Sequence, residues 1–479
     1  MEEIELNGDE LRNTACNLDG NPKVGWLCNK NGLLLKTYEW VTHGAIGIIL
    51  LIHGLKAHTR LTFMKINLKM PNANEGLVID TDNYYIYKDS WIEKFNQNGY
   101  SVYALDFQGH GESQSWRNIR GDFKYYDDLV DDVLQYMNQI HDEISNDNQM
   151  NEESHNIVAT KKERLPMYIM GHSMGGTIAL RILQLLKKKQ EDKIKMRDSN
   201  SYKSGNAMLN DSTNVNKIGN NVVEDMINDK YDMDNTHFIT NSSDYYSDNS
   251  CASTCASTSA SISATANVVV SSKDEECYNY LDKFNIKGCI ALSGMMRAKT
   301  PLGSGNRSIK YLYLPIANFM SRVAPRLLVS TESHYKRSEY VANICKYDKF
   351  RNNNGVRFKC FAELMRAMIK LHCDINYMPE NVPLLFVHSK DDTICCYKAA
   401  YSFYNKAKVP GKKFHTVDDM GHAITAEEGN EDILNEILNW ISYGKTNYED
   451  IKEGEKEGEK KTKKKIKKNA KKKVKKKTK

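Results

Sequence analysis

The sequence predicts an α/β fold: a mostly parallel central sheet with helices on both faces, a helical cap, and low-complexity inserts and tail. Two observations predict the sheet. Short apolar runs recur along the chain, and stretches with helical spacing separate them. This is the pattern of strands buried on both faces and joined by crossover helices. Several of the runs also end in Gly-rich turns, where such a sheet presents its ligand-binding loops.

Taken in order, residues 25–55 read as strands. "GLLLKTYEWV" alternates loosely, and "AIGIILLIHG" is a buried run ending at His53-Gly54. "YKDSWIEKFNQNGY" has helical spacing through Trp91 and Phe95 and stops at Gly99; "SVYALDFQGHG" is a buried strand entering a Gly-rich loop. The spacing of Leu129, Val133 and Met137 predicts a helix over about 125–140. "LPMYIMG" follows as strand, "GGTIALRILQLLKKK" as helix and "KGCIALSGMM" as strand. "VPLLFVHS" and "KKFHTVDD" are two further strands, and "EDILNEILNWIS" is the closing helix. The folded domain is expected over 22–445.

Two polar segments interrupt it, about 141–164 and about 190–276. The second contains "CASTCASTSASISATA" and has too few large apolar side chains to build a core, which predicts disorder. Both lie between a helix and the next strand, so they should sit opposite the strands' carboxyl ends, remote from a ligand. The segment 61–86 instead follows a strand and belongs on the rim of the site. The 85 residues from 297 to 381 are too many for one crossover helix and are expected to form the cap.

The net charge of +6 is unevenly spread: residues 460–479 carry fourteen lysines and no acid, leaving −8 on the rest. No signal peptide is visible after Met1-Glu2-Glu3, and no run approaches the ~20 apolar residues of a membrane helix. With Glu at residue 2 and no prenylation box at the C-terminus, neither N-myristoylation nor prenylation is expected. Eleven scattered cysteines suit a reducing compartment, so a cytoplasmic location is expected.

The chemistry centres on "YIMGHSMGGTIAL", where G-x-S-x-G spans Gly171 to Gly175 around Ser173. The motif gains meaning because a buried strand meets a helix there, on a turn so sharp that a Cβ at either glycine would strike neighbouring backbone. Serine needs a base, and the base an orienting acid. In this context the chain order is serine, acid, histidine. "KDDTICC" supplies Asp391 and Asp392 after one strand, and "DDMGHAIT" supplies His422 after the next. Asp392 is preferred because the chain turns apolar directly after it, leaving Asp391 as a loop carboxylate. The N–H of Met174, at the helix start, and that of Leu55, in "LIHGLKAHTR", are the expected oxyanion donors. His53 would order the loop that presents Leu55. His58, His110 and His172 occupy no triad-compatible position, and the last two read as structural hydrogen-bonders.

His53-Gly54, "DFQGHGES", "GHSMGG", "HSKDD" and the Gly-His before the last helix together resemble the α/β-hydrolase superfamily, more closely its lysophospholipase/monoacylglycerol lipase branch. "HGLKAHTR" and "YKDSWIEKFNQNGYSVYALDFQGHGES" are especially similar to lysophospholipase-like esterases of apicomplexan parasites. The resemblance implies hydrolysis of a lipid ester through an acyl-serine, with no metal or organic cofactor. Ser389 departs from the family, which often has glycine there, and this blurs the choice between Asp391 and Asp392. A carboxylesterase for small acyl esters and a non-catalytic binding protein are the alternatives.

Within the expected cap, Leu312, Ile316, Phe319, Met320 and Val323 recur at helical spacing in 311–329. That stripe either packs the cap onto the core or serves an acyl chain or membrane surface. "RFKCFAELMRAMIKL" (357–371) reads as a packing helix, and Cys395 and Cys396 as buried thiols without metal-ligand spacing. The Lys-rich tail, 446–479, has no aromatic residue after Tyr448 to stack on bases, so nucleic acid is disfavoured as a partner. A solvated tail, a nuclear-import receptor and peripheral contact with anionic membrane are the remaining readings.

Overall fold

The computed structural model describes residues 16–153, 164–205, 280–299, 309–325, 327–329 and 338–444. Its centre is an eight-stranded sheet: β1 (Lys23–Cys28), β2 (Leu34–Trp40), β3 (Gly47–Ile52), β4 (Tyr100–Leu105), β5 (Met167–His172), β6 (Ile286–Leu292), β7 (Leu384–Ser389) and β8 (Lys412–Val417). The spatial order is β1-β2-β4-β3-β5-β6-β7-β8. The pairings β1–β2 and β2–β4 are antiparallel, and all pairings from β4 through β8 are parallel.

The sequences of the central strands explain their place. β3 (GIILLI), β4 (YSVYAL), β5 (MYIMGH) and β7 (LLFVHS) are buried at every position, so both faces need cover. Side chains alternate across the sheet: Ile48, Leu50 and Ile52 enter one core, Ile49 and Leu51 the other. The first core is closed by α2 (Tyr126–Glu153), α3 (Met174–Gly205), α6 (Phe358–Cys373) and α7 (Tyr397–Lys406), through residues such as Val133, Ile178, Leu364 and Phe403. The second is closed by α1 (Trp91–Gln97) and the helix over 430–444, through Trp91, Phe95, Ile433 and Ile437. α1 starts where Ser90 accepts from the Glu93 N–H while the Glu93 carboxylate accepts from the Asp89 N–H, and it stops before Gly99 at φ +83°.

The connection from β6 to β7 carries α4 (Leu314–Val323), α5 (Glu339–Tyr347), α6 and a two-stranded ribbon, Leu328–Val329 with Val356–Arg357. α6 packs as expected, burying Cys360, Leu364, Met365, Met368 and Leu371. α4 corrects the packing reading of its stripe. Leu312, Ile316, Phe319 and Val323 are exposed, while the residue α4 buries is Ala317. A small side chain lets α4 lie close on α6, which turns the large apolar residues outward. The 61–86 segment forms two small hairpin-like pairings, Lys65–Ile66 with Tyr85–Ile86 and Leu68–Lys69 with Val78–Ile79. It meets the β6–β7 connection where Tyr84 donates to the Ile344 carbonyl at 2.7 Å.

Both expected polar inserts begin later than the sequence suggested, because α2 continues to Glu153 and α3 to Gly205. Lys, Gln, Glu and Asp are compatible with a solvated helix, so loss of apolar spacing does not by itself end one. The remainder of the two inserts and the Lys-rich tail lie outside the described residues, and with them the readings of disorder and membrane contact. The chain divides into two compact units, Met1–Lys193 with Tyr278–Lys479, and Ile194–Cys277; the described part of the second is the end of α3. Among the described residues, no helix is long and apolar enough to cross a membrane.

Candidate active site

Ser173 sits directly between β5 and α3 with φ +56°, a left-handed conformation that a non-glycine residue adopts only under constraint. The constraint is visible. Its N–H donates to the Leu292 carbonyl of β6 at 2.8 Å, and its own carbonyl accepts from Met295 N–H at 3.0 Å and Gly176 N–H at 3.1 Å. The flanking glycines are sterically required. A Cβ on Gly171 would lie 2.1 Å from the Gly175 carbonyl oxygen, and one on Gly175 would lie 2.2 Å from that of Ile52.

The loops after β7 and β8 bring the other two groups to this turn. His422 Nε2 is 2.8 Å from Ser173 Oγ, and His422 Nδ1 is 2.8 Å from Asp392 Oδ2. With Nδ1–H donating to the carboxylate, Nε2 is the acceptor for the serine hydroxyl proton. The second Asp392 oxygen accepts from the N–H groups of Ile394 (2.8 Å) and Cys395 (2.9 Å). Burial alone would raise the Asp392 carboxyl; the adjacent His422 and His388 outweigh it and hold the group far below the usual carboxylate range. Asp391 goes elsewhere, accepting from the Asp419 N–H at 3.0 Å.

Both candidate oxyanion donors border the serine. Met174 opens α3, so its N–H is among those a helix leaves without an intrahelical acceptor. The loop carrying Leu55 passes so close that a Cβ on Gly54 would be 3.0 Å from Ser173 Cβ. His53 ties this loop to the one after β4: Nδ1–H donates to the Gly54 carbonyl at 2.8 Å and Nε2 accepts from Phe107 N–H at 3.0 Å. Burial pushes its imidazole down to about 3, so it stays neutral in that tautomer.

Four further residues support the triad: His172 as the structural hydrogen-bonder expected, Cys395 as the buried thiol expected, and Ser389 and His388 in contacts the sequence did not indicate. His172, pushed down to about 3 by burial and by the neighbouring His422, donates from Nε2 to the His422 carbonyl at 2.9 Å. Ser389 donates to the Met420 carbonyl at 2.6 Å, so the residue that departs from glycine clamps the histidine loop. His388 Nε2 lies 3.3 Å from Asp392 Oδ2. Cys395 is buried and its thiol interacts with the Ser173 side chain. Asp392, Cys395 and His422 each offer a metal-ligand atom within 4.8 Å of one another. Burial holds the Cys395 thiol protonated, however, and Asp392 and His422 are already bonded to each other, so the cluster suits proton transfer better than metal binding.

A family model described as "Serine aminopeptidase, S33" matches residues 81–196 and 264–429, more than half of the chain. An uncharacterised abhydrolase domain-containing protein of Dictyostelium discoideum is 23% identical over 189 residues, 36% of this chain and 20% of that protein. The chain thus spans about a fifth of that relative's length. Among solved structures, a soluble variant of monoglyceride lipase from Saccharomyces cerevisiae, in complex with a substrate analog, aligns with a TM-score of 0.51. Identity is 15%, covering 88% of this chain and 96% of that one, a likeness of fold. Monoacylglycerol lipase of Paleococcus ferrophilus aligns at 0.47 with 14% identity, covering 86% and 99%.

Proposed function

Since the chain belongs to the S33 serine aminopeptidase family of α/β hydrolases, we propose that it is a serine hydrolase of carboxylic esters, acting on a lipid ester of the lysophospholipid or monoacylglycerol kind. One observation carries the chemistry: the continuous relay from Ser173 Oγ through His422 to Asp392, with both links 2.8 Å. His422 takes the hydroxyl proton as Ser173 attacks the ester carbonyl, and Asp392 stabilises the imidazolium. The N–H groups of Leu55 and Met174 receive the developing oxyanion. Protonated His422 then delivers its proton to the departing alcohol. Water, deprotonated by the same imidazole, releases the acid and restores Ser173.

The outward face beside α4 supports a lipid rather than a small ester. Tyr311 (70% exposed), Phe319 (63%) and Val323 (66%) stand in water, at a cost that contact with a lipid phase would remove. Residues 297–329 contain six Lys and Arg and no acid, the composition that favours an anionic lipid surface. The test has two arms. A fluorophosphonate should label the wild type and not Ser173→Ala, and hydrolysis should favour long-chain monoacylglycerol or lysophospholipid over p-nitrophenyl acetate. Labelling with a preference for short esters would leave a small-ester esterase; cleavage of aminoacyl anilides in place of esters would overturn the ester reading.

A further inference from the structure

The Leu55–Lys56 turn is held on its far side by a residue distant in sequence. Lys56 adopts φ +66°, a left-handed conformation disfavoured for a long side chain, and its carbonyl accepts from the Asn352 N–H at 3.0 Å. Asn352 ends a short stretch of the β6–β7 connection organised around Asp348. That carboxylate is fully buried. Oδ1 accepts from the N–H groups of Phe350 and Arg351, both at 2.8 Å, and Oδ2 from the Tyr85 hydroxyl at 2.9 Å. His58 Nε2 lies 3.1 Å from both oxygens. His58 Nδ1 accepts from Leu61 N–H at 3.4 Å, so Nε2 carries the proton that Asp348 receives. The next residue, Thr59, is pinned by its N–H to Asp106 at 2.9 Å.

Two residues therefore bracket the Leu55 amide: His53 before it and His58 after it. Only the second bracket depends on the β6–β7 connection. We propose that Asp348 is a positioning residue for the oxyanion hole: through His58 and through the Asn352 N–H it fixes the Leu55–Lys56 turn against Ser173. The inference rests on the reading of Leu55 as an oxyanion donor. It gives the connection between β6 and β7 a part in transition-state stabilisation besides whatever it contributes to substrate selection. An amide displaced by a fraction of an ångström still permits substrate to bind but loses much of its interaction with the developing charge.

The test compares Asp348→Asn, His58→Gln and Tyr85→Phe, a series that removes the charge, the imidazole and one hydroxyl in turn. Asp374→Asn serves as the control; it weakens an ion pair to Arg181 of α3 that touches neither the Leu55–Lys56 turn nor Asp348, and it equally links the connection to the core. Each full-length protein is titrated for active sites, and kcat and KM are measured with one soluble ester. Affinity for a trifluoromethyl ketone, which forms the oxyanion, is set against that for a ketone-free alcohol of the same chain. Asp348→Asn should lower kcat about 10- to 100-fold and weaken the trifluoromethyl ketone in parallel, with KM and alcohol affinity within about twofold, a fraction of the loss typical for deleting one oxyanion donor. His58→Gln should follow with a smaller loss, and the control should keep wild-type kcat per titrated site. If Asp348→Asn does not fold, His58→Gln and Tyr85→Phe decide the matter by the same two ratios. Variants that lower thermal stability while keeping kcat and ketone affinity per active site would overturn the proposal and leave Asp348 structural. Failure of the wild type itself to react with fluorophosphonate would instead overturn Ser173 as nucleophile, so the two failures are distinguishable.

Discussion

At the scale of single residues, the adjacent carboxylates Asp391 and Asp392 show how one position in a loop sets chemistry. Asp392 is buried against His422 and held ionised, whereas Asp391 closes a surface turn with Asp419. Asp392→Asn should lower kcat by about 10⁴-fold, because the imidazole loses both its correct tautomer and its counter-charge. Asp391→Asn should stay within about threefold in the same steady-state assay. Equal losses in the two variants would contradict the assignment. The order serine, acid, histidine was legible in the sequence, as was a structural hydrogen-bonding part for His172; the support from His388 and Ser389 was not. Ser389 meets Met420 across 31 residues, a contact made only when two loops converge, and His388 reaches Asp392 only because the chain turns sharply after the strand.

At the scale of elements, the β5–Ser173–α3 turn and α4 make opposite demands. The turn tolerates nothing larger than glycine at 175, because β3 and its following loop occupy the space: a Cβ there would be 2.2 Å from the Ile52 carbonyl oxygen and 2.6 Å from that of His53. Gly175→Ala should cost about 3 kcal/mol or more in urea unfolding, at the upper end of overpacking penalties, since backbone must move. α4 is permissive on its outer face. Phe319→Asp should leave the melting temperature and soluble-ester turnover unchanged, yet lower turnover of vesicle-borne monoacylglycerol severalfold; unchanged turnover in vesicles would separate this face from the lipid phase. Periodicity located the α4 stripe and left open whether it faced the core or the outside. Hydrophobic spacing reports that one face differs from another, and the partner that each face meets is a property of the neighbouring helix.

At the scale of the whole molecule, buried histidines link stability to pH. Burial pushes His53 and His172 down to about 3 and His110 to about 4, against about 6.5 in an unfolded chain. Between those values the unfolded state binds more protons, so each group makes stability rise with pH. Asp132 acts in the opposite sense: burial pushes it up to about 7, so the folded state holds its proton where the unfolded state does not. Three groups oppose one, and the depressed Asp348 and Asp392 add to the same side at lower pH. The melting temperature should therefore fall as pH drops from 7 to 4.5. Replacing Asp132 by Asn should steepen the accompanying loss of unfolding free energy by about 1.4 kcal/mol per pH unit over the range where Asp132 titrates differently in the two states. A flat profile would mean that these imidazoles charge within the fold.

The sheet, the motif at Ser173 and the chain order of its partners could all be read from the residues alone, because burial on both faces and a turn without room for Cβ leave marks on neighbouring residues. Helical spacing also located the helices at 314–323 and 358–373, though not the side on which the first one packs. The sequence favoured Asp392 over Asp391, and the fold brings that carboxylate to His422; that α2 and α3 run on into polar sequence, and that Asp348 reaches His58 across 290 residues, became visible only in three dimensions. The physical reason is range. Hydrophobic period and steric demand act between neighbours in the chain and can be read along it. A hydrogen bond between distant loops exists only once the sheet has fixed where each strand ends.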